Sequence, residues 1–478
     1  MRTGGDRMKD RWIENIKTGV LVVLVVLSFV LTGSLWYMTP AYEEKQELYR
    51  PLHYIGDLKY NQKQLYQLTS PPYLLMHQMG THYWLKPSDQ GYDESIEMLA
   101  NMEMSYYHEL KADANDWKYL FQQANGIELN FLQDLQANTL GTFLQMEEED
   151  LESLNNLKVI SRVWLFPDPQ MKQVNIWFID DSSARIIQAT TNIPIFQFEQ
   201  KFTQDPIQPI QKLEAIAVNG KAPWDPANNN TPFSRILYLP TQSMPVQKYV
   251  YQPSSIAIDD MKQFLFSVDN ITPTELNNGE LVYAYDRRTL TYNKKDEFVV
   301  YIGPMPELND ANLNPSLEHL NKFLSDHRGW TGDFLLDNVY LNGNVYRYTF
   351  RLIKQGYPVY WKNPSDQPKQ YLDTIQFQID KSEKKYQRYM YFLPEEPVSA
   401  TEQQLLDRKG VLDFLSKAKI SLETIERIYP GYQANWVTNS KKEKQIVLEP
   451  VWVVKTLSGE QELIPSLAEG GSNQNGLE

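Results

Sequence analysis

Cysteine is absent from all 478 residues, which excludes a disulfide framework, a thiolate zinc site, an iron–sulfur centre and a cysteine nucleophile. Histidine is scarce, at six residues. There is no G-x-S-x-G elbow, no G-x-x-x-x-G-K-[ST] phosphate loop and no H-E-x-x-H metal helix. His108-Glu109 comes nearest to the last of these, but Ala112 stands where the second metal histidine is needed. Basic charge is also short. Against 60 Asp and Glu there are 46 Lys and Arg, a net −14, the wrong balance for a nucleic-acid binder. Aromatics are plentiful, with 30 Tyr and 11 Trp, too many for a disordered chain and better suited to strands than to helical bundles. At about 150 residues per domain, the length suggests roughly three domains.

Charge is missing altogether from Thr18 to Tyr42, and Val20 to Leu31 is aliphatic or aromatic except for Ser28. A bilayer core needs about 20 apolar residues at 1.5 Å each, so the run is long enough to span one. Trp36 and Tyr37 stand where an interfacial aromatic belt belongs, with Trp12 near the other edge, and Pro40 ends the helix. Arg2, Arg7, Lys9, Arg11 and Lys17 precede the run, whereas Glu43, Glu44 and Glu47 follow it with only Lys45 basic. The charge asymmetry predicts a cytoplasmic N-terminus and an extracellular bulk. The exit Ser34-Leu35-Trp36-Tyr37-Met38 is too bulky for signal-peptide cleavage, and no cysteine is available for lipidation. An uncleaved single-pass anchor at the cell membrane is therefore expected.

Beyond it the expected class is α+β, in three extracellular domains. Residues 1–17 form a cytoplasmic stub, 18–38 the membrane helix and 43–155 a mainly helical domain. A β-rich α+β domain at 156–305 follows, then a second α+β domain at 306–464 and a disordered tail at 465–478. In the helical region, Ile96, Leu99, Met102, Tyr106 and Leu110 recur at helical spacing across Asp93–Lys111, and a second helix is expected over Asn115–Ala124. From Val159 the period becomes that of strands, with Val159–Phe166 and Val174–Ile179 flanking a Pro-Asp-Pro turn. Asn228–Pro232 reads as a loop. Helices are expected at Ile258–Phe266, Ser316–Asp326, Thr401–Lys417 and Leu422–Ile428, and a last strand at Gln445–Lys455. The second and third regions share a helix-then-meander outline, which suggests a duplication.

Candidate chemistry is sparse. His77 and His82, five apart, do not share a helical face, although a loop can bring them together. Asp180-Asp181-Ser182-Ser183 reads as a turn before it reads as a carboxylate dyad or, with Asp225, a calcium site. The runs Tyr346–Arg351 and Tyr386–Phe392 fit strands with one face in a core, or else a glycan-binding platform. In the membrane run Leu21, Leu24, Ser28, Leu31 and Leu35 fall on one stripe, with Thr32 a turn beyond Ser28, a pattern suited to packing against another helix. A span that faces lipid throughout yields a similar stripe by chance, so both readings stand.

Two stretches carry a resemblance. Val26-Leu27-Ser28-Phe29-Val30-Leu31-Thr32-Gly33-Ser34-Leu35-Trp36, followed by Pro40 and Tyr42, resembles the start of YycH (WalH) proteins. Ile428-Tyr429-Pro430-Gly431-Tyr432, Leu448–Val454 and Gly356-Tyr357-Pro358-Val359-Tyr360 resemble the C-terminal domain that YycH shares with YycI proteins. Pro430 departs from the aliphatic residue expected there. The resemblance implies a membrane-anchored accessory regulator that acts with a YycI-like protein on the WalK-type histidine kinase of the WalK–WalR two-component system, which controls cell-wall metabolism in Gram-positive bacteria. It implies no enzyme activity, no cofactor and no metal. The stripe Leu21, Leu24, Ser28, Leu31, Thr32 and Leu35 would then be the partner-binding face. An extracytoplasmic wall-active enzyme, a glycan-binding module and a pure scaffold are the alternatives.

Overall fold

The computed structural model describes residues 15, 17–29 and 32, then 54–467 except 169, 203–210, 226–234, 267, 269–270, 306–312, 344, 362–371 and 381. It divides into two units, 1–50 and 51–478. In the first, residues 17–29 are helical with exposed apolar side chains from Val20 to Leu27. Among the described residues no helix is long and apolar enough to cross a membrane. Leu31 and Leu35, like most of 30–38, lie outside those residues, as does the expected loop Asn228–Pro232.

The second unit is built on two large sheets. Nine strands form the first: β1 Tyr73–Gln78, β2 Thr81–Leu85, β3 Met104–Leu110, β4 Asn125–Asn130, β5 Arg162–Asp168, β6 Gln173–Asp180, β7 Arg185–Thr191, β8 Leu213–Ala217 and β9 Ile236–Pro240. Their spatial order is β3-β7-β6-β5-β4-β1-β2-β8-β9, and every pairing is antiparallel. Side chains alternate between faces with period two, so each face has its own core. Val163 and Leu165 of β5 join Leu74, Ile127 and Phe178 under the helices Tyr92–Ala100, Ala137–Leu144 and Ile195–Phe202. Trp164 and Phe166 of the same strand join Leu75, Trp84 and Trp177 on the opposite face. Burial on both faces explains why β5 reads as an almost continuous apolar run.

The second sheet draws on β10 Met244–Tyr251, β12 Thr274–Glu275, β13 Leu281–Tyr285, β14 Arg288–Asn293, β15 Phe298–Pro304, β16 Asp333–Asn342, β17 Val345–Lys354, β18 Tyr357–Trp361, β19 Thr374–Asp380, β20 Glu383–Tyr389, β22 Ser399–Leu405, β23 Ile425–Thr438, β24 Lys444–Thr456 and β25 Gln461–Pro465. Its main path is β12-β13-β14-β15-β20-β19-β17-β18-β23-β24-β10-β22, with β16 on β17 and β25 on β24. The short β11 Ser254–Ser255 and β21 Tyr391–Phe392 pair separately. Helices Ile258–Phe266 and Leu313–Ser325 meet through Phe264 and Phe323, whose rings lie 5.2 Å apart. Among the described residues the one parallel pairing in this sheet sets Val359 of β18 beside Tyr432 of β23. It needs Gly431, because a Cβ there would stand 2.7 Å from Val453 and 3.0 Å from the Pro358 carbonyl. Gly356 turns β17 into β18 at φ +78°, where a β-carbon is unfavourable.

Several expectations are corrected. Residues 43–155 carry strands β1 to β4 beside their helices, and β4 pairs with β5 across the boundary drawn at 155. Asp93–Lys111 is a helix only to Ala100, followed by β3, where only every third residue, Met104, Tyr107 and Leu110, is partly buried, a spacing that imitates a helix. Thr401–Lys417 is β22 followed by a helix that starts at Arg408, with Asp407 accepting from the Gly410 amide as its N-cap. Leu422–Ile428 is one short turn, Leu422–Thr424, leading into β23. Pro465 closes β25 and Leu467 bridges Gln404, while 468–478 lie outside the described residues.

Candidate functional site

The two sheets of the second unit meet where β1, β2, β4, β5 and β9 face β23. Trp84 packs on Trp452 with ring centroids 5.6 Å apart, and Tyr73 packs on Tyr429 at 6.0 Å. Beside these rings lies a cavity lined by Glu128, Asp134, Asp181, Glu426, Arg162, Arg235 and Arg427. So many charges away from water persist only when they satisfy one another.

The strands deliver them by register. Arg162 opens β5 on the face that also carries Trp164, and its Nη2 donates to Asp181 Oδ1 at 2.6 Å. Its guanidinium lies over the Trp117 ring at 5.5 Å. Burial opposes the Arg162 charge, but Asp181 and Glu128 outweigh it and hold the guanidinium above its ordinary value. Arg427 of β23 reaches across, with Nη2 donating to Asp134 Oδ1 at 2.7 Å and to the Ser161 carbonyl at 3.0 Å. Ser161 Oγ donates to the other Asp134 oxygen at 3.1 Å, and the Asp134 amide donates to Glu426 at 3.3 Å. Lys455 of β24 adds a bond to the Leu132 carbonyl at 2.9 Å. One region of the N-terminal sheet is thus tied to two strands of the other.

A second polar chain adjoins the cavity. His77 and His82 are brought together by the β1–β2 hairpin, with their Nδ1 atoms 2.7 Å apart. His77 stacks on Trp164 at 4.1 Å between centroids, and its Nε2 lies 3.5 Å from Glu128 Oε2. Tyr238 donates to the same carboxylate oxygen at 2.6 Å. Burial works against the Glu128 charge, yet His77, Arg162 and Tyr238 leave its carboxyl below the usual carboxylate range. The same burial pushes His77 down, and pushes His82 down to about 3 with His77 adding to the effect. Both imidazoles are therefore neutral at pH 7, and one Nδ1–H donates to the other ring. Because the unfolded chain takes up protons near pH 6.5 and the folded one does not, stability must fall as pH falls below 6.5. For His82 alone the loss between pH 7.5 and pH 5 comes to about 2 kcal/mol. Urea midpoints across that range check this, and His82→Gln should flatten the slope.

Other candidates resolve differently. Asp180 caps the turn as expected, accepting from the amides and hydroxyls of Ser182 and Ser183, whereas Asp181 points the other way into the charged cavity. Tyr348, Phe350, Tyr386 and Tyr389 are buried, so those runs face a core and offer no open platform. Among the described residues no cluster of His, Asp and Glu has the geometry of a metal site. Leu21, Leu24, Ser28 and Thr32 are exposed on helix, while Leu31 and Leu35 lie outside the described residues. Of the cavity's charges only Asp181 belongs to a motif that the sequence shows, because the others come from segments far apart in the chain.

Residues 14–198 match the family model described as the YycH protein N-terminal domain, and residues 234–469 match that of the YycH protein C-terminal domain. The two-component system WalR/WalK regulatory protein YycH of Bacillus subtilis (strain 168) is 23% identical over 460 residues, covering 92% of this chain and 94% of that protein. The crystal structure of YycH from Bacillus subtilis superposes with a TM-score of 0.60 at 17% identity, over 84% of this chain and 97% of that one, which fixes a shared fold. Taken together, the two matched domains account for most of the sequence, and the chain belongs to the YycH family.

Proposed function

We propose that this chain is a membrane-anchored regulator of a WalK-type histidine kinase, acting with a YycI-like partner. The observation that carries the reading is family membership across most of the chain, joined to a full-length relative named as a WalR/WalK regulatory protein. The uncharged run from Thr18 to Tyr42, with its basic N-terminal flank, supports a single span with residues 1–17 in the cytoplasm and the bulk outside. In this reading 18–38 is the membrane helix, and Leu21, Leu24, Ser28, Leu31, Thr32 and Leu35 pack against the membrane helices of the kinase. The two sheets hold the extracellular part as a rigid body that engages the partner protein.

Such a protein shifts a kinase only if it binds one kinase state better than the other. A preference of about 1.4 kcal/mol changes the ratio of the two states tenfold. Ser28→Leu and Leu24→Ala each alter the stripe and leave the sequence of both sheets unchanged. Both are expected to change the output of a kinase-dependent reporter several-fold at unchanged protein level. Unaltered output from both variants would remove the stripe from the account. Release of soluble fragments from purified cell wall by the chain would favour the enzymatic alternative.

A further inference from the structure

The first described residues of the second unit dock beside the second sheet, although the next strand in sequence, β1, belongs to the first. Residues 54–63 lie along the loop Arg328–Thr331, which joins helix Leu313–Ser325 to β16. Asn61 Nδ2 donates to the Trp330 carbonyl at 2.9 Å, and Asn61 Oδ1 accepts from the Trp330 amide at 2.9 Å. One buried side chain thus takes both backbone groups of one buried residue, as a neighbouring strand would. The Gly56 amide donates to the Arg328 carbonyl at 2.7 Å, and a Cβ at Gly56 would collide with the Trp330 carbonyl oxygen. Trp330 Nε1 donates to Asn321 Oδ1 at 3.0 Å, and Asn321 Nδ2 donates to the Lys63 carbonyl at 3.0 Å. Lys59 pairs with Glu395, Lys63 with Asp333, and the Arg328 guanidinium lies over the Tyr54 ring at 3.8 Å.

The same loop is held by the sheet itself. Arg388 of β20 donates through Nη1 to the Gly329 carbonyl and through Nη2 to Thr331 Oγ1, both at 2.7 Å. A path of bonds therefore runs from β20 through the loop to Asn61, and it bypasses the nine-stranded sheet. Breaking it leaves buried backbone groups unpaired, so the segment is closed at rest. It is also short and begins its unit, and such segments open before the rest of a fold does. We propose that 54–63 is a releasable strap. Docked on Trp330, it ties the chain that leads to the membrane helix to the second sheet, so that a change in that sheet alters the tie. In the regulatory reading above, on which this inference rests, the strap is the part through which the extracellular region acts on the kinase.

Two variants of the full-length chain test it, by hydrogen exchange in lipid nanodiscs and by a kinase-dependent reporter in cells. Asn61→Ala should speed exchange at the Gly56 and Trp330 amides at least about tenfold and leave Phe178 and Ile179 of β6 unchanged. A spacer of about six Gly and Ser residues between Arg50 and Pro51 should leave exchange at Trp330 unchanged, since every strap residue stays in place. Both variants should shift the reporter several-fold toward its level in cells without the chain. The spacer keeps the test sound if Asn61→Ala does not fold. Unchanged exchange at Trp330 in Asn61→Ala would show that the strap does not hold the loop, and would overturn the proposal. So would normal output from either variant in cells that respond to removal of the whole chain. A reporter indifferent to that removal would overturn the regulatory reading and this inference with it.

Discussion

Replacing Arg351 by methionine should destabilise the second unit, 51–478, by about 3–5 kcal/mol, the range for breaking a buried ion cluster from one side. Arg351 stands between two buried carboxylates in the second sheet. Its Nε and Nη2 donate to Asp337 Oδ2 at 2.9 and 2.7 Å, and its Nη1 donates to Asp373 and to the Val359 carbonyl. The guanidinium also lies over the Tyr360 ring at 4.3 Å, and Lys455 Nζ reaches the other Asp337 oxygen at 3.2 Å. Burial disfavours the Asp337 charge, but Lys455 and Arg351 reverse that and hold its carboxyl down at about 2. The stability Asp337 contributes is therefore complete above the unfolded carboxylate's value of 3.8 and is lost as pH falls from there toward 2. Methionine leaves Asp373 with backbone amides in place of a guanidinium, its own and that of Trp361 at 3.0 Å. Urea unfolding measures the loss as a lowered midpoint with unchanged slope. Adding Asp373→Asn should recover part of it. A loss below about 1 kcal/mol would mean that water reaches the cluster and screens it, as it does for surface pairs.

Arg427→Met should cost about 3 kcal/mol or more, for a related reason with a different reach. Arg427 is the β23 residue that enters the N-terminal sheet, and removing it strips Asp134 of a bond while leaving the Ser161 carbonyl without that donor. Arg235 remains near Asp134, at 3.8 Å, but too far for a hydrogen bond. The effect should therefore appear on both sides of the junction. Hydrogen exchange should speed up in β4 and at the start of β5 as well as in β23, although the substitution lies in only one of them. Faster exchange confined to β23 would show that the ion pairs do not couple the sheets.

How much of this was legible depended on whether the signal was local. Val159–Phe166 and Val174–Ile179 read correctly because strand burial shows within a few residues, and Ile258–Phe266 because its apolar face repeats at helical spacing. Thr401–Lys417 misled because β22 is an edge strand, mostly exposed and rich in residues that helices also accept. The β3 edge misled likewise, its bulge at Ser105–His108 throwing Tyr106 outward at φ +59°. The pairing of His77 with His82 needed the hairpin between them, which Gly80 turns at φ +86°. Arg162, Glu128, Tyr238 and Arg427 carried no pattern at all. Each looks like an ordinary polar residue in a strand, and only the order of strands in space brings them to one cavity.

The central claim is that the segment around Leu24 and Ser28 contacts the membrane helices of a histidine kinase. A photo-crosslinking amino acid placed singly at each position from 21 to 35, in living membranes, tests it most directly. The account predicts capture of the kinase from Leu21, Leu24, Ser28, Leu31 and Leu35, with weak or no capture from Val22, Val25 and Phe29 between them. Equal capture from every position, or no kinase captured from any, would contradict it.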